Sequence, residues 1–166
     1  MPGIVASLVY YHPERDWLRL LALGLFVVGM ATDALDGFIA RLQRQQTQLG
    51  TLLDPIADKS LILATLISCS IIHGLPEWMR LPAWFNLLVI SRDILLVAGA
   101  AVLFMMHGRW TVEPNRLGKW TTVAQMAVIP AVLLGWPLKV PLVAVAATLT
   151  VLSAISYLRT GIRVLG

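Results

Sequence analysis

Five long apolar stretches constrain this chain more than any other feature of its sequence. They lie at residues 17–41, 52–72, 82–106, 117–134 and 140–158. Each has about the 20 residues that an α-helix needs to cross a bilayer. Only 13% of the residues are charged, against roughly 25% in an average soluble domain. The sequence therefore predicts an all-α integral membrane protein, a single domain over residues 1–166 with no room for a separate soluble domain.

The basic residues indicate how such a bundle would lie in the membrane. At one end of the predicted spans they are Arg41, Arg44, Arg109, Arg116, Lys119, Arg159 and Arg163; at the other they are Arg15, Arg19, Arg80 and Lys139. Because positive loops favour the inside of a cell, the richer end is predicted to face the cytoplasm from a plasma or inner membrane. The net charge of +4 then reflects topology, and no aromatic residues interleave with the basic ones to indicate nucleic-acid binding.

Four aspartates interrupt the apolar pattern near the predicted cytoplasmic end. Asp33 and Asp36 close the first span, whereas Asp54 and Asp58 open the second, after a short polar connection at residues 42–49 and Gly50. An ionised side chain at the bilayer centre costs about 2.5–3.5 kcal/mol on insertion scales. Carboxylates three or four residues apart share a helix face. The four groups must therefore pair, line a wet cavity or hold a cation.

Oxygen ligands favour a hard divalent cation. Mg²⁺ and Mn²⁺ suit a carboxylate cluster, whereas zinc usually takes histidine or cysteine, which are absent from this stretch. Such ions bridge carboxylates to the phosphates of a substrate. Gly37 and Ala40 leave room beside the cluster, and Arg41 offers a planar fork that suits phosphate.

Simpler interpretations exist for each acidic residue. Asp54 followed by Pro55 fits a helix N-cap with proline at the first helical position. Asp36 with Arg41, or Asp58 with a basic neighbour, fits a structural ion pair. A cation transporter is a further alternative, but it would spread its acids along the membrane depth, and here they cluster at one end.

The spacing D-x2-D-G-x2-A-R-x8-G-x3-D-x3-D resembles the signature of the CDP-alcohol phosphotransferases, with every fixed position present. The segment Gly118, Lys119, Thr122 and Gln125 is similar to a G-K-x-x-T-x-x-Q segment of the phosphatidyltransferase branch, so the resemblance covers nearly the whole chain. It implies a six-helix, dimeric membrane enzyme with its site open to the cytoplasm. It also implies a reaction in which an alcohol hydroxyl attacks the β-phosphate of CDP-diacylglycerol and CMP leaves.

The same resemblance implies roles for individual residues. Two divalent ions, Mg²⁺ or Mn²⁺, would be held by Asp33, Asp36, Asp54 and Asp58. Asp58 would also act as the general base on the acceptor hydroxyl, which agrees with its place as the deeper member of its pair. The CDP-binding residues would be Asp33, Gly37, Ala40, Arg41 and Gly50.

The acceptor alcohol is specified less closely. Family members that make phosphatidylglycerol phosphate usually carry Arg-Glu in the fourth helix and a second lysine after the G-K pair. Here those places hold Arg92-Asp93 and Thr121. Ser91-Arg92-Asp93 also resembles CMP-forming cardiolipin synthases, so glycerol 3-phosphate and phosphatidylglycerol both stay open. Arg92 and Lys119 are the candidates for holding the acceptor phosphate; an ion pair for Arg92 and an interfacial, snorkelling lysine are the alternatives.

One expectation concerns the start of the chain. Residues 2–11 are apolar but too short to span a bilayer, and residues 12–16 read as a turn. Against a six-helix family, this stretch looks like the last third of a truncated first helix. If part of the pocket were missing, the chain would be an inactive relative.

Overall fold

The computed structural model describes the backbone of residues 2–43, 48–72, 74–107 and 116–165. It describes the side chains of the same ranges except at residues 13, 33, 34, 36–43, 48–58, 100, 103, 104, 106, 107, 116 and 161–165. Within the described ranges, all regular secondary structure is helical. The predicted all-α class is confirmed.

The helices, in chain order, are α1 Pro2–Val9, α2 Trp17–Gln43, α3 Gln48–Ile71, α4 Ala83–His107, α5 Arg116–Leu133 and α6 Lys139–Leu165. Short 3₁₀ turns lie at Pro13–Arg15 and Glu77–Met79. Helices α2 to α6 correspond to the five predicted apolar stretches. The short apolar segment ahead of them is also helical, as α1.

Helix α3 begins earlier than the sequence predicts. It starts at Gln48, so Gly50 lies inside its first turn, although it was expected in the connection. Asp54 is therefore the seventh residue of α3 and Pro55 the eighth. The interpretation of Asp54 as an N-cap with proline at the first helical position is wrong, because the helix has already made more than one turn before it.

Two segments of the described chain are long and apolar enough to cross a membrane, Glu77–Gly99 and Lys139–Thr160. Shorter apolar helices lie at Trp17–Thr32 and Lys59–Ile71. These segments have the character of a helical membrane protein. Helix α4 runs without a break through Ser91, Arg92 and Asp93, so these polar residues do not interrupt the helix.

The described chain forms two compact units. The first is Met1–Leu81 with Val132–Trp136, in which α1 packs on both α2 and α3 and α2 packs on α3. Its core includes Leu8, Phe26 and Leu66, each with at most 1% of its surface exposed. Ser70 Oγ donates to the carbonyl of Leu81 at 2.9 Å, which ties the end of α3 to the segment before α4.

The second unit is Pro82–Ala131 with Pro137–Gly166. Helix α4 packs on α6 within it, and polar side chains connect α5 to α6. Thr121 Oγ1 donates to the Leu149 carbonyl at 3.1 Å, and Gln125 Nε2 donates to Thr150 Oγ1 at 3.2 Å. These polar groups are buried, so their partners replace the water they lack.

Candidate active site

Helices α2 and α3 carry the four aspartates on their backbones. Asp33 and Asp36 lie in the second half of α2, three residues apart, and Asp54 and Asp58 lie in the first half of α3, four residues apart. Each pair therefore sits on one face of a regular helix. The side chains of all four lie outside the described residues, so their assignment as metal ligands, and that of Asp58 as base, stays a prediction.

A close contact between the two helices lies about one turn from Asp33 and from Asp58. A Cβ atom placed on Gly29 would be 3.0 Å from Leu61 Cδ1, so the absence of a side chain lets α2 approach α3 here. Only four residues separate the two helices, so they run in opposite directions. Asp33 follows Gly29 by about 6 Å of helix and Asp58 precedes Leu61 by about 4.5 Å. The contact thus brings the backbone turns of the two acids near each other.

The chemistry of this stretch fits a divalent cation. Four carboxylates on two neighbouring helices supply hard oxygen donors, which Mg²⁺ and Mn²⁺ prefer. Among the side chains that the structure describes, no three or more histidine, cysteine, aspartate or glutamate residues form a group that could hold a metal.

For the predicted CDP-binding residues, as for the acids, the structure describes the backbone positions and not the side chains. Gly37, Ala40 and Arg41 lie on α2 directly after Asp36, and Gly50 lies in the first turn of α3. Their side-chain environments, including any ion pair between Asp36 and Arg41, lie outside the described residues. Their roles stay predictions.

The structure places Arg92 inside the second unit, with 3% of its surface exposed. Its Nη1 donates to Asp93 Oδ1 at 2.7 Å, and its Nη2 donates to Ser153 Oγ at 2.9 Å. The ion pair that the sequence left open as an alternative therefore forms, with the adjacent aspartate. A role in holding the acceptor phosphate stays a prediction, now for a guanidinium that has protein partners on two of its nitrogens.

Sequence reasoning missed the α6 partners of Arg92. Ser153 is buried, and the Tyr157 ring lies 6.0 Å from the guanidinium carbon. The signal was a polar stripe on one face of an apolar helix, at residues 150, 153 and 157. On α5, Gly118 lies beside Tyr157 and Gln125 bonds to Thr150, so the two helices run antiparallel here, and Thr121 bonds to the Leu149 carbonyl between them.

Lys119, the other predicted acceptor residue, lies in the first turn of α5 and is exposed. This position fits the interfacial lysine that the sequence left as an alternative, and it equally leaves the ammonium available to an anion. Its role in binding the acceptor phosphate stays a prediction.

Most of the chain matches one known protein family. The sequence model of one family, CDP-alcohol phosphatidyltransferase, matches residues 1–154. The chain belongs to that family. Its apolar helices, and the acid-rich stretch spread over α2 and α3, are therefore those of a membrane-bound CDP-alcohol phosphatidyltransferase, a class that generally uses divalent metal.

Curated members of the family extend the comparison. A CDP-diacylglycerol–glycerol-3-phosphate 3-phosphatidyltransferase of Cereibacter sphaeroides is 34% identical over 134 residues, which cover 81% of this chain and 58% of the relative. The enzyme of the same name from Haemophilus influenzae is 32% identical over 92% of this chain and 82% of its own length. A CMP-forming cardiolipin synthase of Oryza sativa is 29% identical over 93% of this chain and 52% of its own length.

Proposed function

We propose that this chain is a CMP-forming phosphatidyltransferase of phospholipid synthesis. It moves the phosphatidyl group of CDP-diacylglycerol to a glycerol-type alcohol, with sn-glycerol 3-phosphate as the first candidate. The two bacterial relatives carry that activity in their names. The observation that carries the proposal is the complete phosphotransferase signature on two helices that approach at Gly29 and Leu61, in a chain that belongs to the family.

The bonds that change fix what the residues must do. The hydroxyl oxygen of the acceptor bonds to the phosphorus of the phosphatidyl group, and the bond from that phosphorus to the bridging oxygen of CMP breaks. CMP leaves with the electron pair, and the hydroxyl proton passes to the Asp58 carboxylate, which must lie within hydrogen-bond reach. Arg41 would bind a phosphate of the CDP group through its planar fork.

Four carboxylates would hold the divalent ions: Asp33, Asp36, Asp54 and Asp58. A bound Mg²⁺ or Mn²⁺ supplies positive charge that stabilises the negative charge developing on the phosphoryl oxygens. The protein's own part is to hold the acids at the right separation, and the α2–α3 contact beside them supports that assignment.

A second candidate acceptor is phosphatidylglycerol, which would make the chain a cardiolipin synthase. Two observations favour it: the sequence Ser91-Arg92-Asp93, and the similarity to a rice protein named for that reaction. Both acceptors bear a phosphate and a free hydroxyl on a glycerol unit. The same donor chemistry therefore serves either one.

The proposal includes a placement in the cell. We expect a multi-pass protein of the plasma or inner membrane, a homodimer, with five full spans and α1 beside them. The richer set of lysines and arginines lies at the end of the chain's predicted spans that carries the aspartates, which supports an active site on the cytoplasmic side.

A lipid-product assay tests the proposed function. The purified protein in detergent–lipid micelles is given CDP-diacylglycerol, Mg²⁺ or Mn²⁺, and either glycerol 3-phosphate or phosphatidylglycerol. We expect CMP release with one of them, the matching lipid product, and loss of both signals with a chelator. An intact protein that releases no CMP with either acceptor would contradict the proposal and favour an inactive relative.

A further inference from the structure

The guanidinium of Arg92 is held from several directions inside the second unit. The adjacent Asp93 takes one hydrogen bond at 2.7 Å, and Ser153 on α6 takes another at 2.9 Å. The Tyr157 ring lies beneath the cation, 6.0 Å from its carbon atom. A charge that is 97% withdrawn from solvent holds one position only if its partners are fixed.

Ser153 and Tyr157 set the orientation of the Arg92 guanidinium without neutralising its charge. They are four residues apart, so they lie on one face of α6, a turn from each other. A hydroxyl is a neutral acceptor, and an aromatic ring attracts a cation through its quadrupole. The charge of Arg92 is therefore countered by one carboxylate alone among these contacts, while its orientation is set by two neutral groups.

Gly118 on α5 lies on another side of the Arg92 guanidinium. A Cβ atom at this position would lie 3.2 Å from Arg92 Nη2 and 3.6 Å from Tyr157 Oη. A glycine at position 118 therefore leaves room for the guanidinium group. This gives the glycine of the Gly118-Lys119 pair a steric role that its spacing in the sequence does not show.

One donor of the held cation is unused. The Nε atom of Arg92 is buried, and among the described residues it has no hydrogen-bond acceptor. A buried donor without an acceptor is unfavourable, and hydrogen bonds from guanidinium to anionic oxygen are the strong ones. The arrangement is that of a cation oriented in advance for an oxyanion.

We propose that Ser153 and Tyr157 are positioning residues that hold Arg92 for the phosphate of the acceptor alcohol. This inference rests on the proposed function, because that function supplies the acceptor. Neither residue is assigned a contact with substrate; both act through Arg92. Glycerol 3-phosphate and phosphatidylglycerol both offer the phosphate, so the inference holds for either acceptor.

Steady-state kinetics of Ser153→Ala test the proposal. The variant removes the hydroxyl that accepts the hydrogen bond from Arg92 Nη2. We expect the KM for the substrate alcohol to rise about tenfold, as for one lost hydrogen bond to a charged group. The KM for CDP-diacylglycerol should not change. Tyr157→Leu should raise the same KM, whereas Tyr157→Phe, which keeps the ring, should restore it. Thr148→Ala is the matched control, because this exposed hydroxyl of α6 donates to the Ala144 carbonyl of its own helix.

Each result decides the matter one way. In one case the wild-type protein is active while Ser153→Ala leaves the acceptor KM unchanged or raises both KM values equally. Either result overturns the positioning role and leaves the proposed function standing. A wild-type protein that releases no CMP with either acceptor overturns the proposed function and this inference with it. Thermal unfolding of each variant in detergent separates a kinetic effect from a loss of folded protein.

Discussion

Among the described side chains, the contact of Gly29 with the Leu61 side chain brings α2 and α3 together through carbon atoms, whereas α4, α5 and α6 are connected by hydrogen bonds between buried polar groups. A glycine contact sets the distance between two helices and little else. Side-chain hydrogen bonds also fix rotation and register, because donor and acceptor must align. The Gly29 contact of the first unit thus brings two helices close, whereas the hydrogen bonds of the second unit hold particular side chains still.

This difference matches what each unit is proposed to do. Metal ions draw carboxylates together once the helices are near enough, so the acids of the first unit need proximity more than a preformed network. A guanidinium that must recognise a phosphate gains from a fixed orientation. Arg92, with partners on α4 and α6 and a glycine of α5 beside it, has that orientation before any ligand arrives.

Among the variants that test how the two units are packed, the largest effect is expected where an added methyl group meets the Arg92 guanidinium. Gly118→Ala places Cβ 3.2 Å from Arg92 Nη2, so the guanidinium must shift by a few tenths of an ångström and its bond to Ser153 weakens. We expect the KM for the acceptor to rise about tenfold. Gly99→Ala is the control, because a Cβ there meets no atom of the described residues within 4 Å. Equal kinetics for the two variants would show that Gly118 has no steric role.

A smaller effect is expected at the carbon contact of the first unit. Gly29→Ala places Cβ 3.0 Å from Leu61 Cδ1, a flexible side-chain end that can partly yield. We expect kcat to fall about threefold through slight displacement of the acids, with the acceptor KM unchanged.

Two comparisons check this result. Gly24→Ala on the same helix should match the wild type, because a Cβ at this position has no neighbour within 4 Å in the described part of the chain. Adding Leu61→Val removes Cδ1, so the double variant should lose less activity than the separate effects predict. Additive losses would mean that the two residues do not meet in the working enzyme.

The smallest effect is expected for a hydrogen bond of the second unit that does not touch Arg92. Gln125→Leu removes the bond to Thr150, whose hydroxyl still donates to the Ala146 carbonyl at 2.6 Å. Polar contacts between membrane helices average about 0.6 kcal/mol, so we expect a slight fall in the unfolding midpoint. If Gln125→Leu raised the acceptor KM as much as Ser153→Ala does, the kinetic effect would not distinguish residues that position Arg92 from residues that only pack the helices.

The elements of the fold follow from the sequence because long apolar stretches leave a membrane chain few choices but helices. The helix starts follow less well: Gln48 and Gly50 read as a connection, yet α3 includes them, because glutamine is a good helix former and a long helix can extend over one glycine of weak propensity. The aspartates are found from spacing within two neighbouring helices. Ser153, one of the two hydrogen-bond partners of Arg92, is 61 residues away, and only the fold selects it over other polar residues.

The central claim is that Asp58 takes the acceptor proton in a metal-dependent transfer that releases CMP. CMP release from CDP-diacylglycerol by Asp58→Asn tests it directly, with Glu14→Gln as the control for converting an exposed acid to an amide. We expect the control to match the wild type and Asp58→Asn to lose roughly 10²–10⁴-fold in rate, as for removal of a general base. An Asp58→Asn protein that keeps most of the wild-type rate would contradict the account.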